Sequence, residues 1–308
     1  MNRPRLFASL ALSLSLASSA AFADIKIGVA MSQFDDTWLT YLRESMAQKA
    51  KTMPEGVTLQ FEDARSDVVK QLSQIENFIS QNVSAIIVNP VDTAATRKIT
   101  QEAIAAGIPL VYVNRMPDDK NLPKGVAVVV SDELQAGQLQ MQYLAEKMNG
   151  KGTIVLLLGD LANNATTNRT KGVKDILVNY PNIKIEQEQT GIWARDKGMN
   201  LVNDWLTQGR QFDAVVSNND EMAIGAAMAL KQAGVAKNRV LVGGVDGTPD
   251  GLRAVKNGDL AVSVFQDAKG QAEGAVAVAV KMARNEPHEQ SLVIPFRLIT
   301  AENVDTFK

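Results

Sequence analysis

The sequence contains no cysteine. Disulfide staples, a thiol nucleophile and thiolate metal sites are therefore excluded. Histidine is almost as rare: His288 stands alone in a charged turn (Asn285, Glu286, Pro287, His288, Glu289), where a solvated loop residue is the ordinary reading. Most hydrolytic and zinc chemistries thus lack their usual parts, and neither a metal nor a cofactor is expected. Aromatic residues make up 5% of the chain, with three Trp, so the position of each Trp is informative. Long apolar runs are missing too, apart from Leu6 to Ala17. That run follows Arg3 and Arg5 and leads to Ala21, Phe22 and Ala23, the form of a secretory signal peptide cut before Asp24. It is short for a membrane span, and no cysteine follows it to carry a lipid.

Removing residues 1–23 from the 308 leaves 285, enough for two lobes of ordinary size. Without Arg3 and Arg5, 30 basic residues face 34 acidic ones, a net charge of −4. A mildly acidic exported protein is a poor partner for nucleic acid.

What is present is a repeating alternation. IKIGVAM (25–31), VTLQFED (57–63), AIIVNP (85–90), IPLVYVN (108–114) and VAVVVSD (126–132) are short β-rich runs. TIVLLLGD (153–160), IKIEQEQ (183–189), DAVVSNN (213–219), VLVGGVD (240–246) and LAVSVFQ (260–266) form a second set. Nearly continuous apolar runs of this length suit strands buried on both faces of a parallel sheet. Between them the period changes to that of helices. Val68, Leu72, Ile75, Phe78 and Ile79 share a helix face, and 93–106 and 223–233 each stop at a glycine. The pattern predicts an α/β fold of two Rossmann-like doubly wound lobes. An Ala-rich helix over 271–283 and a last strand, LVIPFRLIT (292–300), are expected to return to the first lobe and then cross to the second. Three segments would then join a first lobe of 24–131 plus 267–295 to a second of 132–266 plus 296–308, which makes a hinge.

Polar side chains gather where the strands end. Asp35, Asp36 and Trp38 follow the first; Asn89 and Asp92 the third; Asn114 and Arg115 the fourth. The second set supplies Asn219, Asp246 and Gln266. An isolated Asn or Asp there is more often a helix cap or turn former. Its repetition in both sets points instead to a cleft lined from both sides, outside the carboxyl ends of the strands. Asp accepts hydroxyl hydrogens, Asn and Gln donate and accept, Arg offers a fork of donors, and Trp38 and Trp193 can cover ring faces. This inventory suits an uncharged polyhydroxylated ring. A phosphate site would need a different spacing of glycines than VGGVDGTPDG (242–251) or LLLGDL provides. A glycosidase using Asp35 and Asp36, or Asp220 and Glu221, is disfavoured because adjacent carboxylates cannot flank a bond from opposite sides.

NNDEMAIGA (218–226), VGGVDGTPDG, IVNPVD (87–92) and VNR (113–115) resemble the periplasmic sugar-binding proteins of the ribose-binding type, over essentially all of residues 25–300. The resemblance implies the type I periplasmic binding fold, a periplasmic location, a monomer, hinge closure over a sugar, and delivery to an ABC permease in the inner membrane, with a chemoreceptor as a further partner. Carried over by motif, it places ligand contacts at Asp36, Trp38, Asn89, Asn114, Arg115, Arg169, Trp193, Asn219, Asp246 and Gln266. Ribose binders commonly have Asn, Phe and Phe in the first group and Asp before the Arg in the second. This chain has Asp36, Trp38 and Leu39, then Asn114 and Arg115. FDDTWLT, VNR and EDARSDVVKQLSQIENFI (62–79) are more similar to the branch that binds myo-inositol and rhizopine-like cyclitols. Myo-inositol is the first expectation, ribose or another pentose or hexose the second. A transcription regulator with the same core would carry a helix-turn-helix where the signal sequence stands.

Overall fold

The computed structural model describes residues 24–54, 56–119 and 121–307. The signal-peptide expectation falls on residues 1–23 and lies outside them. In chain order come β1 (Ile25–Met31), α1 (Thr37–Thr52), β2 (Val57–Asp63), α2 (Val68–Ser80), β3 (Ala85–Val88), α3 (Thr96–Ala105), β4 (Leu110–Asn114) and β5 (Val126–Val130). Then follow α4 (Glu133–Lys147), β6 (Lys151–Leu158), α5 (Asn164–Leu177), β7 (Asn182–Thr190), α6 (Arg195–Thr207), β8 (Ala214–Ser217), α7 (Asp220–Gln232), β9 (Leu241–Gly243), α8 (Pro249–Asn257) and β10 (Ser263–Phe265). The chain closes with α9 (Ala268–Ala283), β11 (Ser291–Val293) and β12 (Arg297–Ile299).

The first sheet runs β11-β5-β4-β3-β1-β2, and every pairing in it is parallel. Parallel strands covered by helices on both faces have no solvent side, which is why β3 and β5 are buried at every residue. Each fully buried aliphatic side chain contributes about 1.5–3 kcal/mol. The second sheet runs β7-β6-β8-β9, again parallel, and isolated parallel bridges Gly243 to Val262 and Asp246 to Phe265 continue it to β10. Both sheets thus repeat one winding, with the second strand outside the first and the third to fifth on its other side. The winding reverses beside β1 and beside β6, and a crevice opens at such a point.

The polypeptide passes between the sheets three times. It leaves β5 for α4 at 131–132, leaves β10 for α9 at 266–267, and leaves β11 for β12 at 294–296. Helix α9 packs on α1 and on the first sheet. The stretch 292–300, expected as one strand, is two: β11 lies parallel to β5, and β12 lies antiparallel to β10. Pro295 separates them, since a residue without an N–H cannot continue the ladder.

Candidate functional site

The carboxyl ends of the parallel strands carry the polar side chains, and the two sheets present those ends to each other. Nine of the ten expected residues line one cavity: Asp36, Trp38, Asn114, Arg115, Arg169, Trp193, Asn219, Asp246 and Gln266. About 350 Å³ of space free of protein atoms lies between these side chains, part of it open to solvent. Asn89 stands behind it. Wholly buried, Asn89 accepts from Ser32 Oγ at 2.7 Å and donates to Asn114 Oδ1 at 3.2 Å. It therefore orients a wall residue instead of lining the wall.

The cap reading and the site reading of these residues hold together. Asp36 Oδ1 accepts from the Leu39 amide at 2.8 Å and so caps α1, while the side chain still borders the cavity. Asn219 caps α7 through Met222 N at 3.0 Å, and its amide donates to the Trp193 carbonyl at 3.0 Å. Asn163, which the motif comparison did not reach, caps α5 through Ala165 N at 2.9 Å, and both residues line the cavity with Leu39. At Asp36 the cap fixes one carboxylate oxygen, while at Asn219 both side-chain polar atoms are held and the group is fixed rigidly in the wall.

Close helix contacts set the second wall. A methyl on Gly137 of α4 would stand 2.0 Å from the carbonyl of Arg169, and one on Gly225 of α7 would stand 2.0 Å from the carbonyl of Arg195. The backbones touch at these glycines, so α5 brings Arg169 against α4, and α6 and α7 bring Trp193 against Asn219. Three wall residues sit at positive φ: Asn114 at 67°, Trp193 at 68° and Asp246 at 127°. Such conformations persist where surrounding bonds over-determine them. Asp246 is pinned on both sides, its N–H donating to Val264 O at 2.8 Å and its carbonyl accepting from Gln266 N at 2.9 Å.

Each wall pairs a buried arginine with a carboxylate: Arg115 with Asp36, and Arg169 with Asp246 and Glu133. Arg115, 7% exposed, donates from Nη1 to Pro90 O at 2.7 Å, and its Nε has no hydrogen-bond partner among the described residues. Burial lowers its pKa, against the pull of Asp36. Arg169 donates from Nε to Glu133 Oε2 at 2.6 Å, from Nη1 to Asn218 O at 2.6 Å and from Nη2 to Gln266 Oε1 at 3.2 Å. Burial opposes its charge, but Glu133 and Asp246 outweigh burial and hold it above its ordinary value. These contacts use three of the five N–H bonds of Arg169, and both arginines border the cavity. Burial raises the carboxyls of Asp36 and Asp246, with Arg115 and Arg169 respectively pulling back. Asp220 sits wholly buried at the first position of α7. It accepts from Ser263 Oγ at 2.6 Å and Thr248 N at 3.1 Å, and burial pushes it up to about 7. It braces the loop that carries Asp246. Glu133 and Asp220 share a lesson for sequence reading: each opens a helix, where an acidic residue is expected for the helix dipole alone.

The lobes meet across the mouth. Thr93 N donates to Ala162 O at 3.2 Å, and Asn164 Nδ2 donates to Met116 O at 2.5 Å and Asp118 Oδ1 at 3.3 Å. The described conformation is therefore closed.

Residues 27–287 match the model of the periplasmic binding protein domain. The chain belongs to that family. Among relatives, a putative rhizopine-binding protein of Rhizobium meliloti is 48% identical over 95% of each chain. A xylitol-binding protein of Mycolicibacterium smegmatis is 36% identical, over 93% of this chain and 80% of the other. An ABC transporter solute-binding protein of Bacillus halodurans, solved with bound myo-inositol, superposes with a TM-score of 0.88 at 41% identity, covering 93% of this chain and 98% of that one. This periplasmic binding protein is a solute-binding component of the ABC transporter kind, with the type I two-lobe fold, and not an enzyme.

Proposed function

We propose that this periplasmic binding protein captures myo-inositol or a close cyclitol and hands it to an ABC permease in the inner membrane. One observation carries the reading. Asp36 and Arg115 from the first wall, and Asp246 and Arg169 from the second, border a single cavity together with Trp38 and Trp193. Two carboxylates and two guanidiniums make a wall without large net charge, rich in both acceptors and donors. That combination recognises hydroxyl groups, each of which gives one hydrogen and accepts others. The tryptophan faces suit the C–H surface of a ring. The myo-inositol-bound relative and the rhizopine-binding relative support a cyclitol.

Residues 24–131 plus 267–295 and 132–266 plus 296–308 act as the two closing units. Ligand favours the closed form because only there do both walls bond it at once. The mature chain begins at Asp24 and works as a monomer in the periplasm, and a chemoreceptor is a further docking partner. The xylitol-binding relative favours a second reading, an open-chain polyol as ligand. A thermal-shift and calorimetric screen against inositol isomers, xylitol, ribose, galactose and glucose separates the two. A ligand that engages the folded cleft raises the melting temperature by mass action. Stabilisation by myo-inositol well above that by xylitol or ribose is the expected result; no stabilisation by any polyol would refute the proposal.

A further inference from the structure

Glu133 does not line the cavity, yet it is 7% exposed. It begins α4, directly after the first crossing between the lobes. Its Oε2 accepts from Arg169 Nε at 2.6 Å, and its Oε1 accepts from Gln266 Nε2 at 3.1 Å. Gln266 Oε1 accepts in turn from Arg169 Nη2 at 3.2 Å, which closes a ring of three side chains. Gln266 stands at the second crossing, and its carbonyl accepts from Trp38 Nε1 of the first wall at 3.1 Å. The ring thus joins two hinge segments, both walls and one ligand-facing guanidinium.

The helix contact builds this arrangement. A methyl on Gly172 would stand 2.2 Å from Leu134 O, as one on Gly137 would stand 2.0 Å from Arg169 O. With backbone against backbone, Glu133, one turn before Gly137, meets Arg169, one turn before Gly172. Arg169 has a second carboxylate in reach: Asp246 Oδ1 lies 3.6 Å from its Nη1. Were Glu133 neutral, Asp246 would become the guanidinium's principal counter-charge, and a buried charge seeks such a partner. Asp246 would then spend on Arg169 an acceptor that a ligand hydroxyl requires.

We propose that Glu133 is a positioning residue for ligand capture: as the nearer counter-charge of Arg169, at 2.6 Å, it keeps the pairing with Asp246 at 3.6 Å from tightening and locks that arrangement to two of the hinge crossings. The proposal rests on the polyol reading above. The test is Glu133→Gln, which keeps shape and removes charge. Calorimetry with myo-inositol is expected to show affinity about tenfold weaker or more, and stopped-flow tryptophan fluorescence to assign the loss to faster dissociation. In an Arg169→Lys background the same substitution is expected to add little, since both act through one contact. Unchanged affinity in Glu133→Gln, or additive losses in the double variant, would overturn the proposal. A second readout needs no ligand. The Nε–H resonance of Arg169 in the ligand-free protein is expected to be protected from exchange in the wild type and to lose that protection in Glu133→Gln. An unaltered resonance refutes the positioning role even if the wild type bound no polyol, which would itself refute only the functional reading. Should Glu133→Gln not fold, Glu133→Asp, one methylene too short to reach both partners, is read by the same measurements.

Discussion

Replacing Asp246 by Asn separates binding from stability at one atom. The position has φ 127°, which Asn tolerates better than Ala, so the backbone is expected to stay in place. On the proposed reading an ionised Asp246 accepts from two ligand hydroxyls; Asn offers one oxygen and turns an N–H toward hydrogens that need acceptors. Hydrogen bonds to a charged group contribute about 1.5–3 kcal/mol each. Losing one such bond and reducing the other to a neutral one weakens myo-inositol binding by about 3 kcal/mol, roughly 100-fold. The ligand-free protein has little to lose. Arg169 keeps its 2.6 Å bond to Glu133, the contact to Asp246 is 3.6 Å, and a carboxyl raised by burial no longer has to be ionised. The net change is about 1 kcal/mol in either direction. For a chain of this size that is a shift of roughly 2–4 °C in melting temperature. Titration calorimetry and scanning calorimetry at pH 8 test both halves. Affinity within about fivefold of wild type, or a collapse of ligand-free stability, would refute the assignment of Asp246 to the ligand.

The buried carboxyl of Asp220 sets a pH dependence. Its folded pKa, about 7, exceeds the ordinary 3.8, so the folded state holds the proton longer and stability falls as pH rises from about 4 through about 7. The ligand-free melting temperature is expected to be higher at pH 5 than at pH 8, with a shallower slope in Asp220→Asn; Asp36 and Asp246, raised likewise, keep part of it. An equal slope in the variant would contradict the account. Gly137→Ala places a methyl 2.0 Å from Arg169 O and is expected to cost about 1–3 kcal/mol in stability by forcing α4 from α5. Chemical denaturation measures this, and the surviving folded protein is expected to bind myo-inositol more weakly because Arg169 moves.

Much of this was legible in the sequence because parallel strands announce themselves as unbroken apolar runs, and the residues that follow them must face the crevice. Asp36, Asn114, Arg115, Asn219, Asp246 and Gln266 came from that rule together with motif resemblance. The rule gives distance along the chain, and not depth. Asn89 follows β3 and Asn114 ends β4, yet Asn89 is wholly buried against Ser32 while Asn114 reaches the cavity through a left-handed backbone. Glu133 was hidden for another reason. In VVVSDELQ it reads as an acid at a helix start, and its partners Arg169 and Gln266 are 36 and 133 positions away. LVIPFRLIT read as one strand because periodicity counts apolar residues and cannot see that Pro295 hands the chain from one sheet to the other.

The lips of the cleft hold lightly. One peptide pair and one asparagine amide span them among the described residues, and a bond at a wet rim contributes about 1 kcal/mol. On the proposed reading, the shut shape owes its persistence to cargo more than to its own seam, and an empty carrier is free to gape. A docking partner that prised apart either lip would then work mainly against the grip on the cargo, so that unloading and reopening would become a single event.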